Sequence, residues 1–138
     1  MRFRRRVLDP RWGPRDQGSG SLDDYKFDLL PGSSRVTIRL AGSDDHQDLI
    51  AGIEAAEIQT AIARRTAEEE RTDAPIAVRL FADGRVIGPV GEVPRGLEGP
   101  VSEAITRLEL AGRTPRIPAA VVSTRDGLRV DLLIGRTR

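Results

Sequence analysis

Apolar residues recur along the chain at two spacings. Val36, Ile38 and Leu40 alternate with Arg35, Thr37 and Arg39, a period of two that predicts a half-buried strand. Gly42-Ser43-Asp44-Asp45 ends that run. Ser43 or Asp44 suits the cap of a helix over residues 46–56, with Leu49, Ile50 and Ile53 on one face. Residues 57–70 admit two readings. Glu57, Glu68, Glu69, Glu70 and the alanines are strong helix formers. Against them, Ile58, Thr60 and Ile62 alternate with Gln59, Ala61 and Ala63, which favours a strand near 57–66. A long hairpin with an acidic loop would then lead into the next strand, Ile76 to Phe81. Asp83-Gly84 marks a tight turn, because Asp-Gly supplies positive φ cheaply, and residues 86–90 form the short return strand. Val101, Ala104, Ile105, Leu108 and Ala111 fall at helical spacing, and Gly112 stops that helix. Residues 117–123 and 128–134 flank Asp126-Gly127 as a final hairpin. About six short strands and two helices, joined mainly by hairpins, predict an α+β fold with a small, strongly curved antiparallel sheet or partly open barrel.

Residues 1–34 have little periodicity. Pro10, Pro14, Pro31 and Gly18-Ser19-Gly20-Ser21 make them read as a flexible arm, with the apolar residues of 22–30 docking partly on a single domain, 35–138. A length of 138 residues suits one domain plus this appendage. Charge sharpens the division. The totals, 22 basic and 21 acidic side chains, look neutral, but six arginines against Asp9 give residues 1–15 a balance of +5, leaving −4 for the rest.

Composition also removes function classes. Without cysteine there is no disulfide framework, thiolate metal site or cysteine nucleophile, and a single histidine, His46, excludes multi-histidine metal sites. His46 itself reads as a polar residue at a helix start. Asp44, Asp45 and Asp48 lack the spaced oxygen ladder of a calcium loop. No glycine loop of nucleotide-binding spacing is present. The expectation is a non-catalytic protein without cofactor or metal. The start, Met1 to Arg6, is followed by no signal-length apolar run, and no stretch approaches the roughly 20 apolar residues of a membrane span. A soluble, cytoplasmic protein is therefore expected.

The order of elements resembles the HIRAN domain, in the small form common in actinobacteria, over residues 36–134. The resemblance rests on the strand Val36 to Ser43, on His46-Gln47-Asp48-Leu49 at the first helix, and on Asp73-Ala74-Pro75-Ile76-Ala77-Val78. Asp83-Gly84-Arg85-Val86-Ile87-Gly88, the helix ending in Gly112-Arg113 and the last strand pair complete it. It implies an OB-like barrel that binds single-stranded DNA, especially a free 3′ end, through base stacking and phosphate contacts. At three positions where the family carries stacking aromatics, this chain has Thr72, Pro89 and the Gly42–Asp45 loop. The alternative expectation is a protein-interaction or assembly domain that has lost the DNA site, reached by a partner through the N-terminal arm or segment 22–30.

The nucleic-acid candidates are Arg2, Arg4, Arg5 and Arg6 of the arm, whose phosphate contacts would release counterions, together with Arg39, Arg64 and Arg65. Arg71 stands near the last two, among Glu68, Glu69 and Glu70. Asp73 joins them through the resemblance, and as an ordinary turn former it has a structural reading too.

Overall fold

A computed structural model describes residues 9–138. Six antiparallel strands and three helices follow in the order β1 (Ile38–Arg39), α1 (Gln47–Ala51), β2 (Glu57–Ala61), α2 (Ala67–Arg71), β3 (Ala77–Ala82), β4 (Arg85–Glu92), α3 (Glu98–Leu110), β5 (Pro118–Thr124) and β6 (Gly127–Leu132). They form one curled sheet, β1-β6-β5-β2-β3-β4. The curl brings its two ends together. Beyond β1, Leu40 donates to Val130 of β6, while Ala41 and Glu92 of β4 exchange a pair of backbone hydrogen bonds of 2.8 Å each. The result is a half-barrel closed at one corner, an α+β, OB-like fold.

Alternation places Ile38, Ile58, Val78, Leu80, Val130 and Leu132 inside the curl, and α3 adds Val101, Ala104, Ile105 and Leu108 from one face. Gly112, at φ 72, accepts the left-handed turn after α3, where Arg113 donates to Leu108 across the helix end. Asp83 and Gly84, both at positive φ, form the β3–β4 turn as its sequence predicts. Pro89 lies in β4, at the end of the strand order, where a missing donor is tolerated.

Three local expectations change. The strand at 57–66 stops at Ala61, and the acidic loop is the short helix α2. Its cause is a capping box: Thr66 Oγ1 accepts from the Glu69 amide at 3.1 Å, while the Glu69 carboxylate accepts from the Thr66 amide at 3.0 Å. The helix over 46–56 is a tight 3₁₀ turn, Ser43–His46, continued by α1 and finished by Gly52. The strand expected over 36–40 shortens to Ile38–Arg39.

Residues 9–34 lie along the sheet. Ser19 exchanges backbone hydrogen bonds with Arg39 and covers the edge of β1. Asp16, 2% exposed, accepts from the amides of Ser43 (2.9 Å) and Asp44 (3.1 Å), and its own carbonyl accepts from Gly42. Buried Arg129 joins the same knot, reaching Asp44 at 2.8 Å and the Asp126 carbonyl at 2.9 Å, with Asp16 at 3.9 Å. Burial pushes the Asp16 carboxyl above the ordinary carboxylate range, opposed by the Asp44 and Ser43 amides and by Arg129.

Candidate functional site

The residues singled out from sequence fall in separate places. Arg39 stands opposite Asp131 of β6 and binds it at two points, 2.8 and 3.1 Å, which holds the guanidinium charged beyond its ordinary range. Arg64 and Arg65 diverge. Arg64 reaches α3, donating to Thr106 at 3.2 Å and pairing with Glu109. Arg65 turns to the end of α2, donating to the Ala74 carbonyl at 3.0 Å and to Asp73 at 3.3 Å. Asp73 takes φ 53 in the turn that ends α2, where Ala74 donates back to Glu69. Arg95 approaches the same carboxylate at 3.5 Å. The structure thus gathers Arg65, Asp73 and Arg95, leaves Arg39 apart, and pairs Arg71 with Glu68. Arg2, Arg4, Arg5 and Arg6 lie outside the described residues.

A different surface combines cations with an aromatic ring. Val78 and Leu80 of β3 face the core, so period two turns Arg79 and Phe81 outward. On β2, Ala61 stands opposite Arg79 and Gln59 opposite Phe81. Ala61 and Ala63 are too short to fill the space, leaving an open groove of about 320 Å³ walled by Phe81, Val86, Pro115 and Arg116. The Arg116 guanidinium lies over the Phe81 ring, 3.6 Å from its centroid. A smaller hollow of about 130 Å³ shares Ala63 and Arg79 with this groove and extends it to Arg64, Arg65 and Glu69. Neither Arg79 nor Arg116 forms an ion pair among the described residues. Such a surface offers a stacking plane and uncompensated positive charge within one hollow.

The three positions that the resemblance sets against stacking aromatics differ in their surroundings. Thr72 and Pro89 are exposed, but Gly42 is buried beneath the Trp12 ring: a Cβ on Gly42 would stand 2.7 Å from that ring. The arm therefore brings an aromatic to the loop after β1, with the Arg11 guanidinium 5.1 Å from its centroid. Sequence reasoning missed Trp12, Arg79, Phe81 and Arg116. The alternation in β3 signals the outward face of Arg79 and Phe81, whereas no local pattern brings Trp12 to Gly42 or Arg116 to Phe81. Among the described residues no group of three or more histidine, aspartate or glutamate side chains is placed to hold a metal, and no helix is long and apolar enough to cross a membrane.

In comparison with known proteins, the chain matches no family model, no curated protein and no solved structure.

Proposed function

We propose that this protein is a non-catalytic nucleic-acid-binding module, related in kind to HIRAN domains, which holds single-stranded DNA on the outward face of β2 and β3. The observation that carries the reading is Arg116 stacked on Phe81 beside Arg79, in a groove continuous with Arg64 and Arg65. Bases stack on aromatic rings and on guanidinium planes, and unpaired arginines draw the backbone between them. The arginines at 2, 4, 5 and 6 add phosphate contacts that depend on salt but not on sequence.

Anisotropy titration of labelled single-stranded DNA, with free or blocked 3′ ends, tests this. Arg116→Ala together with Phe81→Ala removes the stacking platform, and affinity falls by at least about fivefold, the low end of one stacked base. Arg79→Ala flattens the salt dependence by about 0.7 in log–log slope, one phosphate contact on a single strand. Unchanged affinity in the double variant refutes the groove. Equal affinity for free and blocked ends refutes end recognition.

A second reading, a protein-interaction domain, is favoured by one observation. Phe27 is fully exposed (101%) at the tip of the turn closed by the Tyr25–Pro31 bridge, with Leu22 half exposed nearby in sequence. Pull-down of a partner that is lost with Phe27→Ser, with DNA binding absent, selects this reading.

A further inference from the structure

Among the described residues the most exposed large apolar side chain is that of Phe27, at 101%. It rests on nothing in its own chain. The turn that carries it is nonetheless firmly tied: Lys26 donates to the Leu30 carbonyl at 2.7 Å, Leu29 to that of Lys26 at 2.8 Å, and Gly32 to that of Asp24 at 2.7 Å. Leu29 takes φ 63, a conformation leucine rarely adopts, and its side chain lies beside Gly99 of α3. A ring held out on an ordered turn has less backbone freedom to lose on binding, as an anchor for a partner requires. The turn is also acidic. Asp23, Asp24 and Asp28, all exposed, stand against the single Lys26, which leaves an excess of two negative charges. None of these four residues forms an ion pair among the described residues.

Two grooves on the protein are large enough for that ring, and charge separates them. The groove between α1 and the β3–β4 hairpin, about 530 Å³, is rimmed by Asp48, Glu54 and Asp83, which are exposed and repel an acidic turn. The groove over β2 and β3 has the opposite sign. There Arg79 and Arg116, without ion pairs among the described residues, flank an apolar hollow of about 320 Å³ formed by Phe81, Val86 and Pro115. Val86 is itself 48% exposed and uncovered. We propose that the turn of residues 22–30 of one copy docks in the arginine groove of a second copy, with Phe27 among Phe81, Val86 and Pro115 and its carboxylates facing Arg79 and Arg116. Turn and groove share no residue, so the contact is heterologous and every copy carries both halves of it. The contact goes beyond the DNA reading and does not require it. Where the groove also holds single-stranded DNA, the two occupants exclude each other, and self-association competes with DNA binding.

Sedimentation equilibrium of the full chain without DNA, together with amide shifts followed by NMR over a concentration series, tests the contact. The expected result is reversible self-association that weakens in raised salt, with shifts at residues 26–28, 61–63, Phe81 and Arg116 and none at Asp48, Glu54 and Asp83. Phe27→Ser, at a position that packs on nothing, weakens association at least about tenfold, the low end of burying a phenylalanine side chain. Arg79→Glu with Arg116→Glu, both at exposed positions, abolishes it from the groove side. An equimolar mixture of the two variants associates where neither does alone, because one retains the groove and the other the turn. A wild-type monomer at millimolar concentration overturns the proposal. So does association that survives either variant, a mixture no better than its components, or shifts centred on another surface. The DNA titration described above is read out separately, so either reading can fail while the other stands.

Discussion

Replacing Asp16 by alanine removes the side chain that holds residues 9–18 to the loop after β1. Two amides lose their acceptor: that of Ser43, which is fully buried, and that of Asp44, an exposed residue. An abandoned buried donor costs about 1–3 kcal/mol, and the second, nearer water, contributes at the low end. Arg129 loses a carboxylate at 3.9 Å but keeps Asp44 at 2.8 Å, so its buried charge stays compensated. The backbone bond from Gly42 to the Asp16 carbonyl survives in principle. Release of the ionised carboxylate from a site that raises its pKa returns part of the loss. The expected destabilisation is about 2–3 kcal/mol, a substantial share of the roughly 5–15 kcal/mol of a typical domain. In urea, with a slope of about 1–3 kcal/mol/M, the midpoint falls by about 1–2 M. Asp16→Asn keeps one acceptor and should lose roughly half as much. Trp12, the only tryptophan, reports the transition by fluorescence. A midpoint unchanged in Asp16→Ala refutes the reasoning, since the carboxylate would then hold nothing that folding requires.

Three further outcomes are expected. Gly42→Ala forces a methyl within 2.7 Å of the Trp12 ring at φ 73 and should destabilise by at least about 1–2 kcal/mol from the backbone alone, with a red-shifted Trp12 emission; a wild-type spectrum and stability would count against that packing. Tyr25, the only tyrosine, has a buried hydroxyl without a hydrogen-bond partner among the described residues, and burial, reinforced by Asp24, pushes its pKa up to about 12. Its contribution to stability is intact below the usual tyrosine value of 10 and is lost as pH rises through 12, which absorbance titration follows; Tyr25→Phe should be neutral or stabilising by up to about 1 kcal/mol, and a clear loss would show that the hydroxyl is bonded. Carboxyl titration by NMR should separate Asp9 from Asp16. Asp9, held down chiefly by its Arg11 hydrogen bond, stabilises above pH 3.8 and loses that contribution as pH falls through its lowered value; Asp16, pushed up by burial, contributes below 3.8 and loses it as pH rises through its raised value. Midpoints in the reverse order would contradict both environments.

Features with a local cause were legible in the sequence. The α3 face, its glycine stop and the Asp83-Gly84 turn each follow from a few neighbouring residues, and all three appear in the structure. Helix α2 is legible too, since Thr66 and Glu69 have the spacing of a capping box, but the alternation from Ile58 to Ile62 favours a strand up to residue 66 with an acidic loop after it. The arginine groove was half legible. Alternation turns Arg79 and Phe81 outward, yet Arg116 reaches the ring only because β5 lies beside β2, a pairing set by the whole sheet. Asp16 and Arg129 are 113 positions apart and look like ordinary surface charges until the curl brings their segments together.

The corner where Ala41 meets Glu92 bears on the order of folding. The hairpins β3–β4 and β5–β6 join neighbours in sequence, but β1 pairs with β6 across more than ninety residues, and the Ala41–Glu92 clasp spans fifty-one. Local pairings bring little loop-closure entropy, while the β1–β6 pairing must wait for most of the chain to be ordered. On a ribosome, β1 emerges early and has no strand partner until residues 127–132 follow. The β2–β3 floor of the arginine groove can therefore form before the barrel closes, whereas the Asp16–Arg129 contact needs both ends of the described chain in place.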